Sequence, residues 1–556
     1  MATNKVNLLW KSFKGIRKLN TINSAEELGA DKILNVSLSK EKSGQQRSIR
    51  SSGWFNEYIN MGKPDEPTDP VIRLFSANMS GYRYPNQLIA FTKGDTINAW
   101  LVEDDSGILA EPVKIATFPS AEDVTDVCMT QFGDRLIVVV AFGNNSLGYL
   151  MYSSDDVTGW TPITEGSLWK SNWVVIEESS TQKPVGEITQ VRPYGARLAI
   201  NGGTRYEETG TEFINGVWFS EAGQPLNFAP SYATEATETS AFFVETGEYV
   251  NKLVEYNGLT VFCRNRSYNV RGTSQNDIVV QPLTAKGVFG NAVFVMNGQC
   301  AYVDSYANNA FILTNNIDGT IGVDSPIGND IQDYLQDVEN VSINSHNRRV
   351  RLTKENGQSL VYDVDIAEWT SEQFTKNARV VGFLNKELFC DGTTAIKQIT
   401  ETRQANSKQL PTAEGFYSYY KTNLIWLDSQ TSVKSHIYPL AVILEQQTNN
   451  VFFIRFTTDR KEVYEAEISR PGNVNVAMYS DTDEPKNNTF FVEDDEVISG
   501  GVFFSIAEND LLETIDRPPY WRYLQIEIYT KNANQEFNIS GIEAKQTFIT
   551  DEQLDY

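Results

Sequence analysis

Only two histidines, His346 and His436, occur in the chain, so a Ser-His-Asp triad or a histidine-based zinc site would have to use one of them. His346 lies in Asn344-Ser345-His346-Asn347-Arg348-Arg349, which reads as a hairpin or turn, and His436 begins a strand. Neither stands near a cysteine or in the His-Glu-x-x-His spacing that sets two imidazoles on one helix face, and neither is assigned a catalytic or metal role. A glycine-rich phosphate loop followed by Lys-Ser/Thr is missing too; Asn201-Gly202-Gly203-Thr204 and Gly290-Asn291 read as turns at strand ends, where glycine supplies positive φ. Carboxylate pairs remain, because two Asp or Glu held about 5–9 Å apart are enough to cleave a glycosidic bond. Asp155/Asp156 and Glu207/Glu208 are candidates, but in a chain with 72 acidic residues such neighbours are expected to be solvated surface. Glu103-Asp104-Asp105-Ser106-Gly107 and Asp481–Glu484 offer hard oxygen ligands to calcium without the alternating spacing of an EF-hand loop. Aromatic groups at Tyr82-Arg83-Tyr84-Pro85 and Arg517–Tyr523 could stack on a sugar, yet packing in a core or between subunits explains them better, since Tyr and Trp bury a large area under a polar tip. The reading is therefore of a non-enzyme with no catalytic, cofactor-binding or metal-binding residue.

The elements that would have to position any such group are short strands. Leu88–Phe91, Arg135–Phe142, Leu147–Tyr152, Arg197–Asn201, Gly216–Ser220, Leu259–Arg264, Ala292–Met296, Gln358–Asp363 and Arg379–Phe383 are rich in Val, Ile, Tyr and Phe and are punctuated by Gly-Asp, Asn-Gly or Ser-Asp turns. Helical signals are few: Ser24–Leu28, with Glu27 three residues after a Ser cap, and Asn329–Asp337. From 71 to 400 a phrase recurs every ~45–65 residues, a turn then a strand of large apolar residues then a polar loop with Trp or Phe, which suits four-stranded blades of a β-propeller, with two β-sandwiches as the alternative. Five to seven blades fit a segment of that length. Ser153–Trp160 loosely resembles the Asp-box turn of sialidase propellers, a structural turn that speaks for fold and not for hydrolysis. Residues 401–414 read as a polar, helix-compatible linker, and 415–556 as a second β domain of sandwich or jelly-roll type. Residues 1–70 read as an extended N-terminal arm, because Pro64, Pro67 and Pro70 disfavour regular structure.

Composition bounds the function. With 556 residues, 40% hydrophobic and 12% aromatic, the chain carries too much apolar surface to be disordered. Its net charge of −25 disfavours smooth attraction to nucleic acid or an anionic membrane. The longest purely apolar run, Leu136–Phe142, is far short of the ~20 residues that span a bilayer. Met1–Lys18 lacks the uninterrupted apolar stretch of a signal peptide, so the protein is expected to stay where it is made. Cys128, Cys263, Cys300 and Cys390 are widely spaced among apolar residues and read as buried reduced thiols. Residues 1–50 hold ten basic and four acidic side chains, a local +6, which suggests an arm docking on an acidic neighbour.

Several phrases, in order, resemble the tail hub or nozzle (tail-stabilisation) proteins of short-tailed bacteriophages, P22-like and T7-like, with a crAss-like phage as a candidate source. They are Gly216-Val217-Trp218-Phe219-Ser220-Glu221-Ala222-Gly223-Gln224-Pro225-Leu226-Asn227-Phe228; Tyr256–Phe262 with Pro282-Leu283-Thr284 and Gly290–Val295; Val361–Asp365 with Trp369; and Asn423–Tyr438. The family's Pro-Gly after the N-terminal arm appears here as Ser52-Gly53-Trp54. The resemblance implies a structural virion protein forming a homo-oligomeric, hexameric ring of the tail, made in the host cytoplasm. Its implied partners are a portal or adaptor ring and other tail proteins. Phage DNA would pass through the channel without specific binding, no stable membrane insertion is implied, and there are no catalytic residues to carry over. An acidic conduit avoids the counterion release that would trap a duplex. The alternative is a carbohydrate-binding or glycan-degrading β-propeller protein of host recognition; a cellular scaffold propeller is a third.

Overall fold

Strands fill the described residues of the computed structural model, and helix is represented by a 3₁₀ turn at Asn329–Tyr334, inside the segment expected to be helical. Outside the described residues fall 1–4, 18–26, 40–46, 63–68, 80–83, 119–123, 152–169, 172–183, 206–212, 229–238, 305–308, 314–324, 345–346, 427–433, 445–449, 471–501, 506–522, 550–556 and a few isolated positions. The chain divides into two compact units, Glu57–Gly357 with Thr375–Ile399, and Met1–Asn56 with Gln358–Phe374 and Thr400–Tyr556. The fold is mainly β and built of several sheets, as the sequence leads one to expect.

In the first unit five four-stranded antiparallel sheets follow one another, each joining sequence neighbours. They begin at the strands Val71–Asn78, Val124–Phe132, Val191–Tyr194, Val250–Glu255 and Val288–Met296. A hairpin of Val338–Asn344 with Arg349–Lys354 comes next. The last sheet is Arg379–Phe383, Lys386–Cys390 and Ala395–Thr400, and its fourth strand is Trp54–Asn60, from far earlier in the chain. The seven leading strands pack side by side in cyclic order, and Arg379–Phe383 returns to Val71–Asn78.

The apolar runs follow from this packing. Within Arg135–Phe142, Leu136, Val138 and Val140 join a core shared with the preceding sheet, while Ile137 and Val139 join one shared with the following sheet. Likewise Ile89 and Phe91 face one neighbour, and Leu88 and Ala90 face the strands Arg379–Phe383 and Lys386–Cys390. A strand buried on both faces loses alternation and reads as a continuous hydrophobic stretch. The turns are those the dipeptides demand: Asn257 and Gly258 take φ of 50° and 102° between the strands Val250–Glu255 and Leu259–Cys263.

Two glycine segments read as turns lie inside strands instead. Asn201–Thr204 sits in Arg197–Arg205, paired opposite Ile214–Val217. There glycine answers to close packing: a Cβ on Gly216, across from Gly202, would come within 2.3 Å of the Val244 carbonyl oxygen and 2.4 Å of the Phe243 ring. Gly216→Ala is expected to cost about 1–3 kcal/mol in chemical denaturation; a loss below a few tenths would show that the sheet yields. Gly290-Asn291 marks a register slip between Val288 and Val293, with Gly290 at φ 56°, as at a β-bulge.

The second unit holds two sheets. One runs Val502–Ser505, Lys434–Leu444, Asn538–Ile549, Ile49–Ser51, Val36–Leu38, with Lys5–Trp10 also on Asn538–Ile549. The other runs Ser12–Ile16, Glu27–Leu34, Tyr419–Thr422, Tyr523–Tyr529, Asn450–Thr458, Val463–Arg470, with Ile425–Trp426 also on Tyr523–Tyr529. The hairpin of Gln358–Asp363 with Glu368–Gln373 packs on the strands Ser12–Ile16 and Glu27–Leu34. Thus the segment 1–70, expected as an extended arm, supplies strands to both sheets. Glu27 and Leu28, expected at a helix start, begin a strand because Glu27–Leu34 gains partners on both edges, parallel with Ser12–Ile16 and antiparallel with Tyr419–Thr422. The stretch 401–414 forms turns and bridges, not helix, held in part by the Phe55–Lys408 bridge.

Four of the ten cations of residues 1–50 are matched within the chain. Glu368, 3% exposed, takes Arg17 Nη2 at 2.7 Å and Arg47 Nη1 at 2.9 Å, and Gly15 N donates to its other oxygen at 3.1 Å. Lys32 pairs with Glu414 and Arg50 with Glu401. These four cations, expected at contacts with a neighbouring subunit, meet acceptors of their own unit. Asn35 fixes the same region at φ 53°: its amide donates to the Leu410 and Tyr417 carbonyls and its Oδ1 accepts from Gln373 N. Gly53, in the Ser52-Gly53-Trp54 variant of the family phrase, lies at φ 75° so close to Asn35 that a Cβ would approach its Oδ1 to 2.5 Å.

Candidate functional site

Most of the residues singled out for chemistry fall beyond what the structure describes. Asp155/Asp156, Glu207/Glu208, His346 and Asp481–Glu484 lie outside the described residues, as do Ser153–Trp160 and most of Arg517–Tyr523. His436 lies on the strand Lys434–Leu444 opposite Thr547. Of the Glu103–Gly107 cluster, Glu103 accepts from Tyr58 OH and Lys386 Nζ, each at 2.6 Å, and is buried. Asp104 caps Ser106 N at 2.8 Å, and Asp105 accepts from Asn86 N and Nδ2 at 2.9 and 2.8 Å. Each carboxylate serves a different neighbour, which leaves no shared oxygen cage for calcium. Among the described residues no three His, Cys, Asp or Glu gather as a metal site. The four thiols are free, and burial raises those of Cys128, Cys263 and Cys390 to about 12, out of reach of thiolate chemistry at neutral pH.

A different constellation is assembled where the seven leading strands meet. Each contributes one polar side chain, flanked by an apolar residue that packs between sheets: Arg73, Asp126, Arg192, Lys252, Asn291, Asn340 and Arg379 in chain order. Together with Gln190, Thr130 and others they line a cavity of about 390 Å³. Four cations stand against one carboxylate, a formal +3 within a protein of −25.

The charges are unevenly paired around the ring. Asp126 takes a fork from Arg73, Nε to Oδ1 at 2.7 Å and Nη2 to Oδ2 at 2.5 Å, and a further donor from Arg379 Nη1 at 3.3 Å. On the next two strands Arg192 spends Nε on the Leu253 carbonyl and Nη1 on that of Val191, both at 3.3 Å. Lys252 Nζ reaches only the amide oxygen of Asn291, at 3.4 Å, and that oxygen also receives Gln190 Nε2 at 2.6 Å. Among the described residues neither Arg192 nor Lys252 has an ion pair. Burial, and then repulsion from Arg192 and Arg73, lowers Lys252 to about 7, and burial lowers Arg192 as well. Half of this site is therefore a cationic wall whose charge is not neutralised from within.

Such a wall carries a positive potential that favours anions over cations. Asp126 is the one carboxylate lining the cavity, and its oxygens are taken by two guanidinium groups. Sequence reading missed this set because each member is a single charge in a strand and the members lie up to 306 residues apart, from Arg73 to Arg379. The signal that could have found it is a polar residue recurring at one position of every leading strand, as in Arg73-Leu74, Asp126-Val127, Lys252-Leu253, Asn340-Val341 and Arg379-Val380.

No protein-family model matches the chain. No curated protein matches it either. Among solved structures it is similar to BBS1N in complex with ARL6DN, at 13% identity over 64% of this chain and 99% of that one, with a TM-score of 0.35. Raptor of Chaetomium thermophilum is 12% identical over 64% of this chain and 30% of that one, with a TM-score of 0.35. The β-propeller domain of Cps50 (Swd1) from Myceliophteria thermophila is 7% identical over 63% and 100%, with a TM-score of 0.39. At these scores the likenesses carry no inference about function.

Proposed function

We propose that the protein is a structural component of a short phage tail, a hub or nozzle subunit that assembles as a six-fold ring, and that its first unit is a seven-bladed β-propeller and its second a sandwich-like β domain. The observation that carries this reading is that the phrases resembling the tail family are framework residues. In Gly216–Phe228, Trp218, Phe219 and Phe228 are fully buried. Ser220 Oγ accepts from Leu198 N at 2.8 Å, and Asn227 N donates to the Gln224 carbonyl at 3.0 Å to close the polar turn. The propeller reading rests on the cyclic packing of seven leading strands and on the N-terminal strand completing the last sheet, the device by which a closed ring of sheets removes its free edge. A non-enzymatic role agrees with a cavity that offers one carboxylate where glycoside hydrolysis needs two. In this reading the net charge of −25 keeps DNA from adhering to its conduit.

Electron microscopy of purified virions, with mass photometry of the isolated protein, tests the proposal. Six copies in a ring around the tail axis are expected. A protein that is monomeric and absent from particles sinks it. Release of reducing ends from host polysaccharide, abolished by one Asp or Glu substitution, would favour the glycan-degrading alternative instead.

A further inference from the structure

We propose that the cavity at the meeting of the seven leading strands binds a small multivalent oxyanion of the phosphate class, held by Arg192 and Lys252 in a lining they share with the Arg73–Asp126–Arg379 cluster. This goes beyond the tail-ring reading and stands whether or not that reading holds.

The argument starts from what an unpaired cation costs. A charge taken out of water is expensive unless a counter-charge or hydrogen bonds replace its hydration, and the ring provides this on one side only. Arg73 and Arg379 share Asp126, whereas Arg192 and Lys252 have amide and carbonyl oxygens alone. Two neighbouring cations without a carboxylate repel one another, a repulsion that a bound anion relieves. The cavity, about 390 Å³, lies in the size range of small-ligand sites and far exceeds a single halide. Arginine's planar fork matches paired oxygens of a phosphate, with lysine as a point charge beside it. Side-chain amides of Asn340 and Gln190 on the same wall provide further polar groups. A divalent ion matches the two positive charges of Arg192 and Lys252 and a trivalent one the formal +3; a monovalent ion leaves most of it.

The proposal fixes a sign for pH. The groups acting on Lys252 are Arg192, Arg73 and the Cys128 thiol, and Asp126 and Arg379 line the same cavity. Asp126 accepts from two guanidinium groups. Lys252, lowered to about 7, is the group that changes between pH 6 and 8.5. A bound anion favours its protonated form, so at fixed ligand charge Lys252 takes up a proton on binding and its contribution weakens as pH rises.

The experiment is isothermal titration calorimetry on the full chain, with inorganic phosphate, pyrophosphate, citrate and a hexaglutamate peptide as probes at constant ionic strength. Pyrophosphate is expected to bind more tightly than phosphate, and its affinity for the parent relative to Lys252→Arg, a ratio in which the probe's own titration cancels, is expected to fall about tenfold from pH 6.5 to pH 8.5. Lys252→Gln combined with Arg192→Gln should weaken it at least tenfold, whereas Lys376→Gln, on the exposed surface, should not. Lys252→Arg should retain binding and keep only the pH dependence of the probe itself, which a merely structural role for Lys252 would not produce. Thermal unfolding of each variant shows that it is folded. If pyrophosphate gives no heat or thermal shift at 10 mM, or binds the double variant as it binds the parent, the proposal fails. Binding of citrate or hexaglutamate with no response to either phosphate probe overturns it in favour of a carboxylate ligand or an acidic segment of a partner protein.

Discussion

A chain lacking residues 1–60 is expected to lose cooperative folding, not merely its docking to other proteins. Phe13, Ile16, Leu28, Ile33, Val36, Ile49 and Trp54 lie in that stretch at 0–1% exposure. Burial of each contributes ~1.5–3 kcal/mol, on the order of 10–20 kcal/mol together, against a typical net stability of about 5–15 kcal/mol. The loss falls on both units. The second loses strands from each of its two sheets, and the first loses Ile59, which packs among Phe383, Leu388 and Ile396. Far-UV circular dichroism and denaturant titration read the result. A truncated chain with a native spectrum and a sharp transition, failing only to join an assembly, would restore the view of 1–70 as a detachable arm.

Glu368→Ala is expected to destabilise the second unit by about 3 kcal/mol, with Glu368→Gln intermediate. The carboxylate is buried and carries three donors, two of them guanidinium groups at 28% and 20% exposure. Removing the shared partner leaves two half-buried cations facing each other and the Gly15 N–H without an acceptor. The glutamine keeps an acceptor and loses the charge. Because the arginines can regain some water, the cost sits at the low end of what breaking a buried pair brings. Guanidinium chloride mixes screening with denaturation, so urea at low salt is the proper measurement. A loss under 1 kcal/mol would mean that the segments Ser12–Ile16 and Glu368–Gln373 are held by their apolar contacts alone.

How much of this was legible beforehand divides by the range of the interaction. Arg135–Phe142 and Arg379–Phe383 occur with the ends read from their apolar runs, and Leu88–Phe91 lies within Asn86–Lys93. Those strands pair with sequence neighbours, and hairpin chemistry is written in two or three adjacent residues. The strands of residues 1–60 were hidden because their partners come hundreds of residues later, so Lys5–Trp10 next to Asn538–Ile549 leaves no local trace. Ser24–Leu28 shows the converse, a helix cap motif overridden where Glu27–Leu34 found strands on both sides. The cationic cavity was hidden for the same reason as the early strands. Its parts are single residues whose shared position becomes evident only when the leading strands are laid side by side.

The strand Trp54–Asn60 has a consequence for the ribosome. Its partner, Ala395–Thr400, begins 335 residues after Asn60, so at synthesis rates of roughly 5–20 residues per second the early strand waits about 20–70 s before its place exists. Six sheets' worth of chain must emerge and fold meanwhile beside an unpaired, partly apolar edge, which invites pairing with the same strand of a neighbouring nascent chain. A chaperone bound over the first 60 residues, or fast codons over the 335 that follow, would protect yield without changing a single contact in the finished protein.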